Sequence, residues 1–169
     1  MHTATMSKDI REAELRFPNL RPTGYRKTSE ATPRYNCVAW ALEEDKKRWW
    51  QPMPHARQTH WPDDVPRSRS ISAYEMLIGK YDYADCGIDD RLEDGYEKVA
   101  LFSDSSKIFT HICKQKDDGK WTSKLGEMID VEHNSLRAFE NSKYGLLHKI
   151  YKRTKLAKPS IPVNFPNVH

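Results

Sequence analysis

Cys37 and His111 are the two residues whose types and positions point most directly to chemistry. Cys37 follows Asn36, a strong N-cap residue, so the sequence predicts a thiol in the first turn of a helix. His111 lies near the start of a predicted strand, where an imidazole can take the thiol proton and return it to a leaving group. Because the positive end of a helix dipole lowers a thiol pKa, we expect Cys37 to be an activated nucleophile and His111 its base.

A third polar group is expected to orient the imidazole. Asp118-Gly119 predicts a hairpin turn, which places the hydroxyl of Ser123 on the strand opposite His111. Ser123 is therefore the first choice for this role, and three later residues are alternatives: Asp130, Glu132 and His133. Each assignment also has an inert interpretation, because free cysteines are usually buried packing residues and strand hydroxyls often face water.

Aromatic residues surround the predicted nucleophile in the sequence. Tyr35 and Asn36 precede Cys37 and are candidates for the oxyanion site, where backbone N–H groups can hold developing negative charge. Trp49, Trp50 and Trp61 lie in a proline-rich segment and are candidates for a wall that grips the substrate. The alternative for these three indoles is that they cover an edge of the core.

The sequence gives little indication of a metal or cofactor. His55 and His60 have a spacing that could contact a metal, but no third ligand lies close by, so we expect no metal site. No glycine-rich phosphate loop is present, and we expect no cofactor. The odd number of cysteines, without paired spacing, argues against a disulfide framework, and Cys86 and Cys113 are expected to be structural.

The elements that must position these residues change character along the chain. Polar and turn-rich segments precede a helix near Asn36, and a second helix is predicted from Ser72, with a capping box to Glu75. Strands are predicted over 98–102, 109–115, 120–123 and 144–152, with a short helix around 135–139. Helices followed by an antiparallel meander indicate an α+β fold, with N-terminal helices packed on a small antiparallel sheet.

Length and charge bound the organisation of the chain. The 169 residues suit one domain, which we place at 17–153, between an N-terminal extension (1–16) and a basic, proline-rich tail (154–169). The net charge is +4, yet residues 141–169 hold six basic residues and no acidic one. The tail could contact an acidic partner, whereas we expect neither nucleic-acid binding nor a membrane span. No apolar leader is evident, so a cytoplasmic location is expected, although delivery to another cell stays open.

Several longer runs resemble an uncharacterised bacterial domain family. They are YNCVAWAL at 35–42, Trp49-Trp50 with Pro52, Trp61-Pro62, 97–102, Thr110-His111, WTSKLG at 121–126 and Tyr144-Gly145. More distantly, the order of a cysteine opening a helix, a histidine starting a strand and a polar residue on the next strand resembles NlpC-type and CHAP-type cysteine peptidases and amidases. That resemblance implies a papain-like fold with Cys37 as nucleophile, His111 as base and Ser123 in the third position.

These observations favour a cysteine hydrolase or transferase acting on an amide, thioester or isopeptide carbonyl. Two alternatives stay open at this point. One is a papain-like binding module for a peptide or partner protein, with an unused cysteine. The other is a bacterial toxin domain that performs the same chemistry inside another cell.

Overall fold

The structure is a computed structural model that describes residues 7–30, 37–42, 61–125, 128–140 and 142–155. Seven antiparallel strands form one sheet: β1 (Tyr25–Ser29), β2 (Ala84–Asp85), β3 (Tyr96–Ser103), β4 (Phe109–Gln115), β5 (Trp121–Lys124), β6 (Asp130–His133) and β7 (Leu146–Thr154). Their order across the sheet is β1-β6-β5-β4-β3-β7-β2. The predicted α+β class is therefore confirmed, with a sheet larger than the sequence indicated.

The helices are short and cover both faces of the sheet. They are α1 (Lys8–Arg16), α2 (Leu20–Thr23), α3 (Cys37–Ala41) and α4 (Ile71–Gly79), followed by a 3-10 helix over Leu136–Phe139. The predicted second helix is present, but its N-cap is Ser70, whose hydroxyl accepts from the N–H of Ala73, and not Ser72. None of the helices in the described ranges has the length and apolar composition needed to cross a membrane.

Alternate residues of the central strands point to two separate cores. Val99 and Leu101 of β3 enter the first core, between the sheet and the helices α3 and α4, while Ala100 and Phe102 enter the second. The second core lies under α1, α2 and the 3-10 helix, and contains Trp121. Further members of the first core are Val38, Ala41, Leu42, Trp61, Tyr74, Leu77, Ile78, Ile112 and Tyr151. Further members of the second core are Ala13, Phe17, Leu20, Cys113, Val131, Phe139, Tyr144 and Ile150.

The N-terminal helix is attached to this second core. The polar pattern of residues 1–16 predicts a helix with little to hold it in place. In the structure α1 begins after Ser7, whose hydroxyl caps the N–H of Ile10, and it buries Ala13 completely. The hydroxyl of Tyr25 in β1 also donates to Glu14 at 2.7 Å. A buried alanine, an N-cap and one side-chain hydrogen bond therefore hold α1 in place, although this helix has no broad apolar face.

Candidate functional site

Cys37 is the first residue of α3, the short helix that lies across β4 and β5. Val38 and Ala41 bury one side of α3 in the first core, and the Trp40 indole N–H reaches the hydroxyl of Thr122 on β5 at 3.3 Å. These contacts hold the start of the helix against the sheet. Cys37 itself packs on the first core, and the residue as a whole is intermediate in exposure.

A bulge in β4 sets the direction of His111. Phe102 of β3 pairs with His111, but the next residue of β3 pairs with Phe109, so Thr110 is the extra residue. Phe109 stacks on Tyr74 in the first core, with ring centroids 3.7 Å apart. His111 is instead fully buried among rings of the second core. The bulge therefore separates the two side chains onto opposite faces of the sheet.

The helix α3, which begins with Cys37, lies over β4 and β5, and these two strands separate beyond Lys114. The N–H of Lys116, just after β4, forms a hydrogen bond across the β4–β5 hairpin. Along a strand, the N–H groups of alternate residues point in the same direction. The N–H of Ile112 therefore points toward β5, but the ladder does not extend past Lys114. Cys37 packs on the first core, to which Ile112 belongs, and the backbone N–H of Ile112 acts to lower the pKa of the thiol.

The structure brings His111 and Ser123 together, as the hairpin predicts. The ring Nε2 of His111 lies 3.0 Å from the Ser123 hydroxyl, and the same hydroxyl lies 2.8 Å from Nε2 of His133. On the far side of that ring, Nδ1 of His133 lies 3.0 Å from the carbonyl oxygen of Ser135. Ser123 and the alternative candidate His133 therefore belong to one continuous chain of contacts.

Aromatic rings surround the two imidazoles. Tyr144 stacks on His111 with parallel rings, 4.1 Å between centroids and 1° between planes. Phe139 presents its edge or face to both His111 and His133, at 5.1 and 4.8 Å between centroids. The hydroxyl of Thr110 donates to the backbone carbonyl of Tyr144, which fixes the stacked ring relative to β4. These contacts leave His111 little rotational freedom.

Nδ1 of His111 has no hydrogen-bond partner in the described part of the chain, so the ring and the thiol of Cys37 form no direct hydrogen bond. Burial is also the largest influence on the pKa of each group. It lowers the pKa of His111 well below its usual 6.5, and His133 and Lys143 act in the same direction. The site therefore holds a neutral imidazole with one unused ring nitrogen.

The pKa of Cys37 departs from the expectation drawn from the sequence. Burial raises it to about 11, while the backbone N–H groups of Ile112 and Val38 and the charge of Lys124 act in the opposite direction. The expected lowering was wrong because α3 has only five residues, and the desolvation of a thiolate outweighs the few N–H groups at its start. Cys37 is thus a protonated thiol near neutral pH.

The other residues singled out from the sequence have different positions. Trp61 is 7% exposed and belongs to the first core, where its indole N–H donates to the carbonyls of Val65 and Pro66. This is the core-covering position that the sequence left open. Cys113 is fully buried in the second core, on the opposite face from Ile112, as expected for a structural cysteine. Some candidates lie outside the described residues: Tyr35, Asn36, Trp49, Trp50, His55, His60 and the tail from 156 onward.

Among the residues that the structure describes, no three His, Cys, Asp or Glu side chains converge as metal ligands would. Glu132, one of the alternatives for the third residue, is engaged elsewhere, with Arg26 at 2.6 Å and Lys116 at 2.7 Å. Asp130 accepts from the hydroxyl of Ser29 and lies 3.5 Å from the buried ammonium of Lys124. Both carboxylates therefore stabilise the β5–β6 side of the sheet.

Comparison with known proteins identifies relatives at the level of the family. No curated protein and no solved structure shows a significant match. A family model described as a domain of unknown function (DUF7689) matches residues 26–152. This range contains Cys37, His111, Ser123 and His133 and extends from β1 almost to the end of β7. Because the match spans most of the sequence, the chain belongs to the DUF7689 family.

Proposed function

We propose that this domain is a papain-like cysteine hydrolase or transferase that acts on an amide, thioester or isopeptide carbonyl of a peptide or protein. Cys37 is the nucleophile, His111 the general base and Ser123 the residue that orients the imidazole. The observation that carries the proposal is Nδ1 of His111, a buried nitrogen with no hydrogen-bond partner among the described residues, on the strand whose Ile112 packs in the same core as Cys37. Its other ring nitrogen is already occupied by Ser123.

Proton transfer precedes bond formation in this mechanism. Nδ1 of His111 takes the thiol proton, and the resulting thiolate of Cys37 adds to the substrate carbonyl carbon to give a tetrahedral oxyanion. The imidazolium then protonates the leaving amine or thiolate as the C–N or C–S bond breaks, which leaves an acyl thioester on Cys37. Attack by water or by an acceptor amine, with His111 again as the base, releases the acyl group and restores the thiol.

The raised pKa of Cys37 defines which version of this chemistry applies. A thiol with a pKa of about 11 is protonated at neutral pH, so a preformed thiolate–imidazolium pair is not the resting state. The proton must move when the substrate binds, as it does from a serine hydroxyl to its histidine. A thiolate of high pKa is intrinsically more nucleophilic, which partly offsets its low population. The positive charge of Lys124 favours the thiolate once it forms.

Alkylation of the three free thiols tests the proposal, because Cys113 is a control within the same chain. Cys113 is a buried thiol on the same strand as His111, and burial strongly raises its pKa. Cys86 is less buried, and its sulfur lies 3.3 Å from the carbonyl oxygen of Ile150. With iodoacetamide at pH 7 and peptide mapping by mass spectrometry, Cys37 should react before both, and His111→Ala should slow only Cys37.

Turnover is measured with an activated acyl ester such as p-nitrophenyl acetate. The wild-type chain should form an acetyl thioester on Cys37, and Cys37→Ser and His111→Ala should each reduce its formation by a factor of about 100 or more. Cys113→Ser is the matched variant that should leave it unchanged. Labelling that follows exposure alone, with Cys86 first and no effect of His111→Ala, would contradict the proposal.

A binding module for a peptide or partner protein is the second candidate. Burial is the observation that favours it, because His111 has no exposed surface and the Cys37 thiol has a raised pKa. In that case the Cys37, His111 and Ser123 side chains would hold the sheet together, without chemistry. The two candidates differ in the acetyl-thioester measurement, since a binding module forms no acyl group on Cys37.

A further inference from the structure

A chain of polar side chains crosses the buried core from β6 to β4. It begins at the carbonyl of Ser135, passes through His133 and the hydroxyl of Ser123, and ends at His111. The two imidazoles and the serine are 0% exposed, so water does not compete for these hydrogen bonds. Each hydrogen bond needs one donor and one acceptor. The donor and the acceptor at every contact in this series can therefore be deduced by starting from the carbonyl of Ser135.

The carbonyl of Ser135 can only accept a hydrogen bond, so Nδ1 of His133 must carry the proton that points to it. Burial lowers the pKa of His133 to about 4, so this ring is neutral near pH 7 and its Nε2 is an acceptor. The hydroxyl of Ser123 has a single proton, which it donates to that Nε2. Ser123 must then accept from Nε2–H of His111.

The opposite direction is unfavourable at the Ser135 end. It would require an unprotonated Nδ1 on His133, which would then face the carbonyl oxygen at 3.0 Å, two acceptors without a proton between them. A doubly protonated His133 would satisfy the carbonyl, but it would place a charge in a core that contains Phe139 and Val131. The Ser135 carbonyl thus selects one arrangement of protons for the whole series of hydrogen bonds from His133 to His111.

We propose that the Ser135 carbonyl, acting through His133 and Ser123, fixes the tautomer of His111 so that its proton is on Nε2 and its Nδ1 is an unprotonated base. This inference rests on the proposed function for its chemical consequence: Nδ1 is the atom that takes the proton from Cys37. His133 and Ser123 are positioning residues, since they act through His111. When His111 becomes an imidazolium, its Nε2–H still donates to Ser123, so the chain need not rearrange during proton transfer.

Nitrogen NMR of the full chain labelled with 15N tests the inference directly. At pH 7 His111 should show a protonated, pyrrole-type Nε2 and an unprotonated, pyridine-type Nδ1. His133 should show the reverse, with the proton on Nδ1. The signals are assigned through bonds in the wild-type protein, labelled with both 13C and 15N. A wild-type spectrum with the proton of His111 on Nδ1, or that of His133 on Nε2, overturns the inference, and this result does not require any variant to fold.

A second measurement separates this inference from the proposed function. Ser123→Ala removes only the hydroxyl, so His111 should populate both tautomers, and alkylation of Cys37 near pH 7 should slow by a factor of about 10. The slower rate should be accompanied by a changed pH profile, which a purely structural effect would not produce. Ser105→Ala, in the exposed turn between β3 and β4, also removes only a hydroxyl and is the matched control that should preserve both.

The two sets of results are independent. If the tautomers are as stated but His111→Ala leaves Cys37 alkylation unchanged, the hydrogen-bond chain stands and the proposed chemistry fails. If alkylation depends on His111 but its proton lies on Nδ1, the proposed chemistry stands and the role of Ser135 and His133 is refuted. An unchanged tautomer of His111 in Ser123→Ala also refutes that role.

Discussion

Acidification should destabilise this fold well before its carboxylates are protonated. Burial lowers the pKa values of both His111 and His133, so the folded protein keeps two neutral imidazoles. In the unfolded chain these rings have a pKa of about 6.5 and bind protons as the pH falls. Because the unfolded state then holds more protons than the folded state, stability is fully present above about pH 7 and is lost as the pH falls toward 4.

The magnitude follows from the pKa of His133. A change from 6.5 in the unfolded chain to about 4 in the folded one removes about 2 kcal/mol of unfolding free energy between pH 7 and pH 5. The pKa of His111 is lowered in the same direction. Because its pKa in the unfolded chain is also about 6.5, its contribution to stability begins to fall at the same pH. The two rings together should therefore remove more than His133 alone, and the contribution of about 2 kcal/mol from His133 is already a sizeable part of the stability of an ordinary domain.

Urea unfolding followed by circular dichroism at pH 7, 6 and 5 measures this loss. His133→Asn should reduce the loss between pH 7 and pH 5 by about 2 kcal/mol, because only one buried imidazole remains. Ile150→Val is the matched control: it destabilises the second core by about 1 kcal/mol but keeps both imidazoles, so the full pH dependence should persist. A stability that is constant between pH 7 and pH 5, or that rises, would refute the reasoning.

Three further outcomes are expected from urea unfolding. Glu132→Gln should flatten the loss of stability between about pH 4.5 and pH 2, because its cationic partners lower the pKa of this carboxyl to about 2 and stabilise the fold above that range. Lys98→Met should cost about 1–3 kcal/mol and expose the loop over 86–95 to proteases, because the fully buried ammonium donates to two loop carbonyls at 2.8 and 2.9 Å. Gly145→Ala should lower the unfolding free energy by at least about 1 kcal/mol more than Gly119→Ala. Both glycines have a positive φ, 74° at Gly145 and 87° at Gly119, but only at Gly145 would a Cβ collide with backbone atoms, those of Ser103.

The elements that the sequence predicts well are those with local signals. The β4 strand has the predicted bounds, and the Asp118-Gly119 turn leads directly to the contact between His111 and Ser123. The 3-10 helix over Leu136–Phe139 lies within the short helix predicted around 135–139. In each case the turn residue, the cap or the alternation lies within a few residues of the element it specifies.

The strands β1 and β6 were missed because their signals are not local. All four residues of β6 are buried, yet three of them are ionisable and give no apolar alternation. Their burial depends on distant partners such as Arg26 for Glu132 and Ser123 for His133, and β1 pairs with this strand. Polar residues can be buried only when those partners are in place, which a pattern within one segment does not reveal.

The same dependence on distant contacts explains the error in the Cys37 pKa. The position at a helix start is visible in the sequence, and it predicts a lowered pKa. The sequence does not show that β4 and β5 separate beyond Lys114, or that the thiol occupies this position beside Ile112. The burial that results from this tertiary arrangement exceeds the effect of a five-residue helix.

The single unsatisfied atom at the end of the polar chain is the strongest reason to treat these residues as more than packing. A buried polar atom without a partner costs about 1–3 kcal/mol, and an apolar ring at position 111 would avoid this cost among Tyr144, Phe139 and Phe102. Every other polar atom from the Ser135 carbonyl to Nε2 of His111 is paired, so the deficit is confined to Nδ1. A series of hydrogen bonds whose only purpose was to hold the core would not need to end on an unpartnered nitrogen, and the base proposed for this protein is that nitrogen.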